Sequence, residues 1–172
     1  MDKTLWLYIW RFQPFHNGHK SIVDTMLEDN ERNLILIGIN WENTSKENPF
    51  TYSKRLGFIS ETYKDTVWLD ISPLIDNASD KRWVQQILGM WLIQKSGHIK
   101  LYCWDKSKDS AVQVIKQFLP LFAWKKLEII EIDRNIIPIS GTQVRHEIEL
   151  EWVESVEKLV PDEVHKSLKK TG

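Results

Sequence analysis

Cysteine is nearly missing from this chain. Cys103 is the only one in 172 residues, so no intrachain disulfide can form, a usage that agrees with a reducing compartment. A basic excess is missing too: Lys+Arg at 23 against Asp+Glu at 24 give a net charge of -1. That balance speaks against a general nucleic-acid binder and leaves any anion site to a few placed groups. No apolar run approaches the roughly 20 residues of a membrane span. The run Leu5 to Trp10 is too short for a signal h-region and lacks a small-residue cleavage site. No repeat, low-complexity tract or composition shift marks a second domain, and no constellation for zinc or iron stands out, since His98, His146 and His165 are scattered. These absences predict a single domain over residues 1–172, cytoplasmic, with neither membrane nor nucleic acid as partner.

The apolar 42% of the sequence is arranged in an alternating pattern. Buried strands are predicted at Leu5 to Ile9, Asn33 to Ile39, Thr66 to Ile71 (ended by Pro73), Ile99 to Cys103 and Leu127 to Ile132. Helices are predicted between and after them: Asn17 to about Asp29, one capped by Thr51, one running from Ser79 or Asp80 through Leu92, Ser110 to Leu119, Thr142 to about Leu150, and about Pro161 to Leu168. Strands alternating with helices at this spacing predict an α/β fold, a Rossmann-like, doubly wound, parallel five-stranded sheet with helices on both faces. Ligands of such sheets sit at the carboxyl ends of the strands, where the strand order reverses. The turns after the first and fifth strands are therefore the places to look.

The first of these turns, Arg11-Phe12-Gln13-Pro14-Phe15-His16-Asn17-Gly18-His19, leads into a helix. A helix N-terminus favours an anion, and a guanidinium with two imidazoles can donate to several phosphate oxygens at once. By itself an HxGH string is equally a Pro/Gly turn with helix-capping histidines. The longer string closely resembles the signature of the HxGH nucleotidyltransferase superfamily, and within it the nicotinamide-mononucleotide adenylyltransferases of archaeal type. Those enzymes carry Gly before the Arg, where this chain has Trp10.

The second turn supplies Ile139-Ser140-Gly141-Thr142-Gln143-Val144-Arg145, which resembles the Ile-Ser-x-Thr-x-x-Arg motif of the same family. Glu47-Asn48-Pro49-Phe50-Thr51 with Arg55 resembles its Glu-Asn-Pro-Phe-Thr-x-x-x-Arg stretch. Asp76, Asp80 and Trp83 resemble its nicotinamide-pocket pattern, in which the Trp stacks on the pyridine ring. Lys108-Asp109-Ser110 and the stretch Phe118 to Trp124 resemble the adenylyltransferase half of bifunctional bacterial enzymes that also carry a Nudix hydrolase, but this chain has no Nudix box, so that second activity is not expected.

The resemblance implies transfer of AMP from ATP to nicotinamide mononucleotide, giving NAD and pyrophosphate, with Mg2+ arriving on the ATP. It implies that His16, His19, Arg145 and Arg11 are catalytic. Phe12, Gln13, Lys108, Asp109, Ser140 and Thr142 would bind ATP, and Asn48, Phe50, Arg55, Asp76, Asp80 and Trp83 would bind the acceptor. Relatives are commonly homo-oligomers. Two alternatives stay open: a sister enzyme acting on another phosphate acceptor, and a weakly active nucleotide-binding regulator, which Trp10 would favour.

Overall fold

The computed structural model describes residues 3–29, 32–40, 44–133, 137–150 and 153–170. Five strands, β1 (Thr4–Trp10), β2 (Asn33–Ile39), β3 (Leu69–Ile75), β4 (His98–Cys103) and β5 (Lys126–Glu131), form one sheet in the order β3-β2-β1-β4-β5. Every neighbouring pair is parallel. The helices are α1 (Asn17–Asp29), α2 (Tyr52–Thr62), α3 (Asp80–Leu88), α4 (Trp91–Gln94), α5 (Ser110–Gln117), α6 (Gly141–Glu149), α7 (Val153–Glu157) and α8 (Asp162–Lys169).

The central strand explains the layering. Successive side chains of a strand point to opposite faces, and β1 is apolar on both. Trp6 and Tyr8 pack into a core with Ile35, Phe58, Val144 and Val164, under α1, α2 and the C-terminal helices. Leu5, Leu7 and Ile9 pack into a second core with Val84, Ile87, Val112 and Ile115 of α3 and α5. A strand covered on both faces has no polar side to show, hence its unbroken hydrophobic run. The expected doubly wound parallel sheet is the fold observed.

Several boundaries differ from expectation, and the third strand starts at Leu69 rather than Thr66. The third strand runs on to Ile75, with Pro73 inside it opposite Ile37. Because β3 is an edge strand, the missing N–H of Pro73 can face away from the ladder, so the proline is tolerated where a central strand would exclude it. The helix expected to reach Leu92 stops at Leu88, capped by Gly89; Met90 is extended at ψ 135°, and α4 starts afresh. Trp91 continues the apolar repeat in sequence yet is exposed, and Ile93 is buried instead. After α5, Leu119–Phe122 is a 3-10 turn rather than helix. Of the scattered histidines, which the sequence leads one to expect in solvent, His165 is buried, and His98 contacts Glu128 at 3.0 Å. No helix among the described residues is long and apolar enough to cross a membrane.

Candidate active site

β1 lies between β2 and β4, so the chain order reverses at its carboxyl end, where the turn Arg11 to Asn17 leads into α1. Phe12 adopts φ 55°, a left-handed conformation that a bulky residue takes only when its surroundings compel it. Its ring is fully buried between Tyr8 and His19, with centroids at 5.4 and 5.0 Å. Phe12, expected to bind ATP, therefore has its ring in the core, and it does not line the large cavity described below. Gln13, also buried, reads the main chain of Phe50 like a neighbouring strand, its Oε1 accepting from Phe50 N (2.9 Å) and its Nε2 donating to Phe50 O (3.0 Å). The two motifs expected to bind different substrates are thus tied together.

His16 and His19 stack with ring centroids 3.6 Å apart. The His16 main-chain N–H donates to Nδ1 of His19 (3.3 Å), and the His19 N–H donates to Nδ1 of His16 (3.4 Å). A neutral imidazole that accepts at Nδ1 carries its proton at Nε2. Both residues line the large cavity with Nδ1 taken up by the turn's own main chain, which makes Nε2 the atom able to donate outward; that of His19 is itself buried. The glycine of HxGH has a steric reason: a Cβ at Gly18 would lie 2.9 Å from Cε1 of His16 and 3.3 Å from Trp104.

Facing this turn is the N-terminus of α6. Ser140 caps it, its Oγ accepting from Gln143 N at 3.1 Å. Arg145 Nη1 donates to Gln13 O (2.8 Å) and Nη2 to Thr142 Oγ1 (3.2 Å), which fixes the guanidinium fork. Gly141 makes room for that fork, since a Cβ there would lie 3.0 Å from Gln13 O and 3.1 Å from Nη1 of Arg145.

A cavity of about 1100 Å³ brings together Arg11, Gln13, His16, His19, Asn48, Lys108, Asp109, Ser140, Thr142 and Arg145. Residues that sequence reasoning passed over complete it, among them Trp104 to Ser107 after β4 and Glu131 to Asp133 at the end of β5. The turn after β4 borders the same reversal of strand order as the turn after β1, and that was the signal available. Glu131 holds it by accepting from Lys106 N at 2.8 Å. Asp109 caps α5 through Val112 N (3.0 Å), and burial raises its pKa above the ordinary value. Cys103 beside it is buried, and burial pushes the thiol up to about 11, so it is no thiolate nucleophile at neutral pH.

A second cavity of about 450 Å³ gathers the expected acceptor residues Asp76, Asp80 and Trp83, and shares Trp10, Arg11 and Asp109 with the first. Arg11 Nη2 is bonded to Asp76 Oδ2 at 2.7 Å, which bridges the two spaces. Phe50 and Arg55 lie apart from both, along a third cavity with Asn48. Arg55, expected to bind the acceptor, has its guanidinium engaged within the fold. It is buried, and it donates to Arg11 O (2.6 Å), Gly38 O (2.7 Å) and Phe50 O (3.1 Å). Burial, and then the nearby Arg11, lower its pKa to about 10, so it stays charged at neutral pH. It props the site from beneath instead of reaching into either of the two adjoining cavities.

Residues 7–147, which include both turns, match the family described as cytidylyltransferase-like. The chain is 30% identical over 166 residues to nicotinamide-nucleotide adenylyltransferase 1 of Sulfolobus acidocaldarius, a match covering 90% of this chain and 85% of the relative. It is 26% identical over 137 residues to the nicotinamide/nicotinic acid mononucleotide adenylyltransferase of Acinetobacter baylyi, covering 77% of this chain and 71% of that one. In fold it resembles a bifunctional NMN adenylyltransferase/ADP ribose pyrophosphatase from Francisella tularensis, with a TM-score of 0.72 at 20% identity; the match takes in 99% of this chain but only 49% of that one, about half its length. The chain belongs to the cytidylyltransferase-like family, among its nicotinamide-nucleotide adenylyltransferases.

Proposed function

We propose that the protein transfers AMP from ATP to nicotinamide mononucleotide, giving NAD and pyrophosphate. One observation carries this reading: a phosphate-sized array of donors and an aromatic, acidic cavity adjoin and share the walls Trp10, Arg11 and Asp109. Two substrates can lie there with their phosphates meeting at the shared wall. A phosphate oxygen of the mononucleotide attacks the α-phosphorus of ATP, and the bond to the β-phosphate oxygen breaks as pyrophosphate leaves. No side chain needs to act as nucleophile, since positioning and charge neutralisation suffice.

The Nε2–H groups of His16 and His19 donate to the transferring phosphate. Arg145 and Arg11 offset charge on the departing pyrophosphate, which Ser140, Thr142 and the first turn of α6 hold. Lys108 adds a cation at the mouth. Asn48 and the main chain of Gln13 line the space between the motifs, while Arg55 positions both from below. Magnesium accompanies the triphosphate. The large cavity is lined by the cations Arg11, Lys106, Lys108 and Arg145 and by carboxylates that include Asp105, Asp109 and Glu131, and among the described residues no three His, Cys, Asp or Glu side chains gather closely enough to hold a metal by themselves. A cytoplasmic location belongs to this reading, in keeping with the single buried Cys103.

Asp80 at the start of α3 repels a carboxylate on the acceptor ring, whereas Asp76 is offset by Arg11. Nicotinamide mononucleotide is therefore expected to be the better acceptor than nicotinic acid mononucleotide. The test is pyrophosphate release from MgATP over a panel of acceptor phosphates. Preference for the acid form, or for a phosphate lacking the pyridine ring, would overturn the reading.

A further inference from the structure

Trp10 stands where the resembling signature has glycine, and the structure gives its indole a place of its own. It ends β1, half-buried, stacked at 25° on Tyr8 with centroids 6.5 Å apart and 6.0 Å from the ring of His19. It lines both cavities, and in the smaller one it is joined by a second indole, Trp83. The charged groups on that smaller cavity, among the described residues, are the carboxylates of Asp76, Asp80 and Asp109 and the guanidinium of Arg11. Arg11 is bonded to Asp76, so the balance left for a ligand is acidic. Indole faces carry negative charge density and attract a cation placed over them, an attraction that grows when water is excluded. The floor is apolar, with Ile9 and Leu74.

We propose that Trp10 is a specificity-determining residue: with Trp83 it makes the acceptor cavity an acidic box with two indole walls, which selects a planar cationic ring, the oxidised pyridinium, over a neutral dihydropyridine of the same size. The inference rests on the acceptor reading given above and deepens it. Acidic side chains and π-faces both favour the cation, while a neutral ring gains only stacking and apolar contact. The glycine of the resembling signature offers no such face.

The experiment compares kcat/KM for nicotinamide mononucleotide and for its reduced, dihydro form, at saturating MgATP, in the parent protein, Trp10→Leu and Trp10→Phe. The parent is expected to favour the oxidised form. Trp10→Leu keeps apolar bulk but has no π-face, so its preference should fall about tenfold, the worth of one partly desolvated cation–π contact. That fall should come mainly from the oxidised substrate, since the reduced ring loses only its stacking, with the KM for ATP unchanged. Trp10→Phe should fall part of the way, because a phenyl face is the weaker cation acceptor, and it decides the matter if the Leu variant does not fold. An unchanged oxidised-to-reduced ratio in the folded variants overturns the proposal, whether their rates fall together or not at all. A drop in the KM for ATP also overturns it, since the indole would then belong to the phosphate side. A parent inactive on both forms but active on another acceptor phosphate would overturn the acceptor reading itself, and this inference with it.

Discussion

His19 is 1% exposed and touches the rings of Tyr8, Trp10, Phe12, Phe15 and His16, so its orientation is fixed by packing as much as by the bond from His16 N. A donor pre-aimed in this way acts on charge that develops in the transition state. His19→Ala is expected to lower kcat by about 10²–10³ while leaving the KM for ATP within a few-fold. Steady-state kinetics on a variant shown by circular dichroism to be folded would check this, and parent-like turnover would leave His19 a packing residue. Asp109 carries a pH signature. Its folded-state pKa is raised, by burial first, so the native state binds its proton more tightly than the unfolded chain does. The group therefore opposes folding at neutral pH, and that penalty fades as pH falls through the raised value toward the ordinary 3.8. Asp109→Asn keeps an oxygen to cap α5 and is expected to melt no lower than the parent at pH 7, its advantage shrinking on acidification. Melting curves across pH would show it, and an advantage that grows in acid would contradict it.

Among the elements, α2 is tied to the site through one side chain. Arg55 reaches from α2 to the main chain at the ends of β1 and β2, and Gln13 closes the same corner by pairing with Phe50. Replacing it with Met would strand the carbonyls of Arg11 and Gly38 without a donor. At roughly 1–3 kcal/mol for each buried acceptor left unsatisfied, the expected loss is about 2–6 kcal/mol of unfolding free energy, read by urea denaturation. Lysine should restore little of it, because one ammonium lacks the spread of the guanidinium fork that serves Arg11, Gly38 and Phe50 together. Full stability in the Met variant would return Arg55 to a ligand role. The fate of α3 and α4 has a related physical origin. The apolar repeat runs on past Leu88, but Gly89 is an easy place to stop, and burying Ile93 turns Trp91 outward.

At the scale of the whole molecule, both cavities are closed by elements far apart in sequence: the turn after β1, the turns after β4 and β5, α3, and the N-termini of α5 and α6. The unfolded chain has no such site, so ligands that occupy it stabilise the native state by mass action. MgATP at about 100 times its dissociation constant is expected to add about 2.7 kcal/mol, seen as a rise in melting temperature that saturating nicotinamide mononucleotide increases further. No shift with MgATP at millimolar concentration would argue against the large cavity as the nucleotide site.

Local chemistry made much of this protein readable beforehand. The two-faced apolar run of β1, the cap at Thr51 and the HxGH turn follow from side-chain type and near-neighbour spacing, which the chain carries with it wherever it folds. The same short-range logic put His16, His19, Ser140, Thr142 and Arg145 on the turns that the strand order brings together. Other outcomes depended on neighbours distant in sequence. Pro73 lies within a strand only because β3 is an edge. Arg11 faces the cavities while Arg55, a residue of the same type, is held on buried carbonyls. Phe12 turned its ring into the core, and Trp10 became a wall between two cavities. Burial and pairing are settled between residues that meet only when the sheet closes, so sequence determined which chemistry was present and the tertiary structure decided which groups remained to do it.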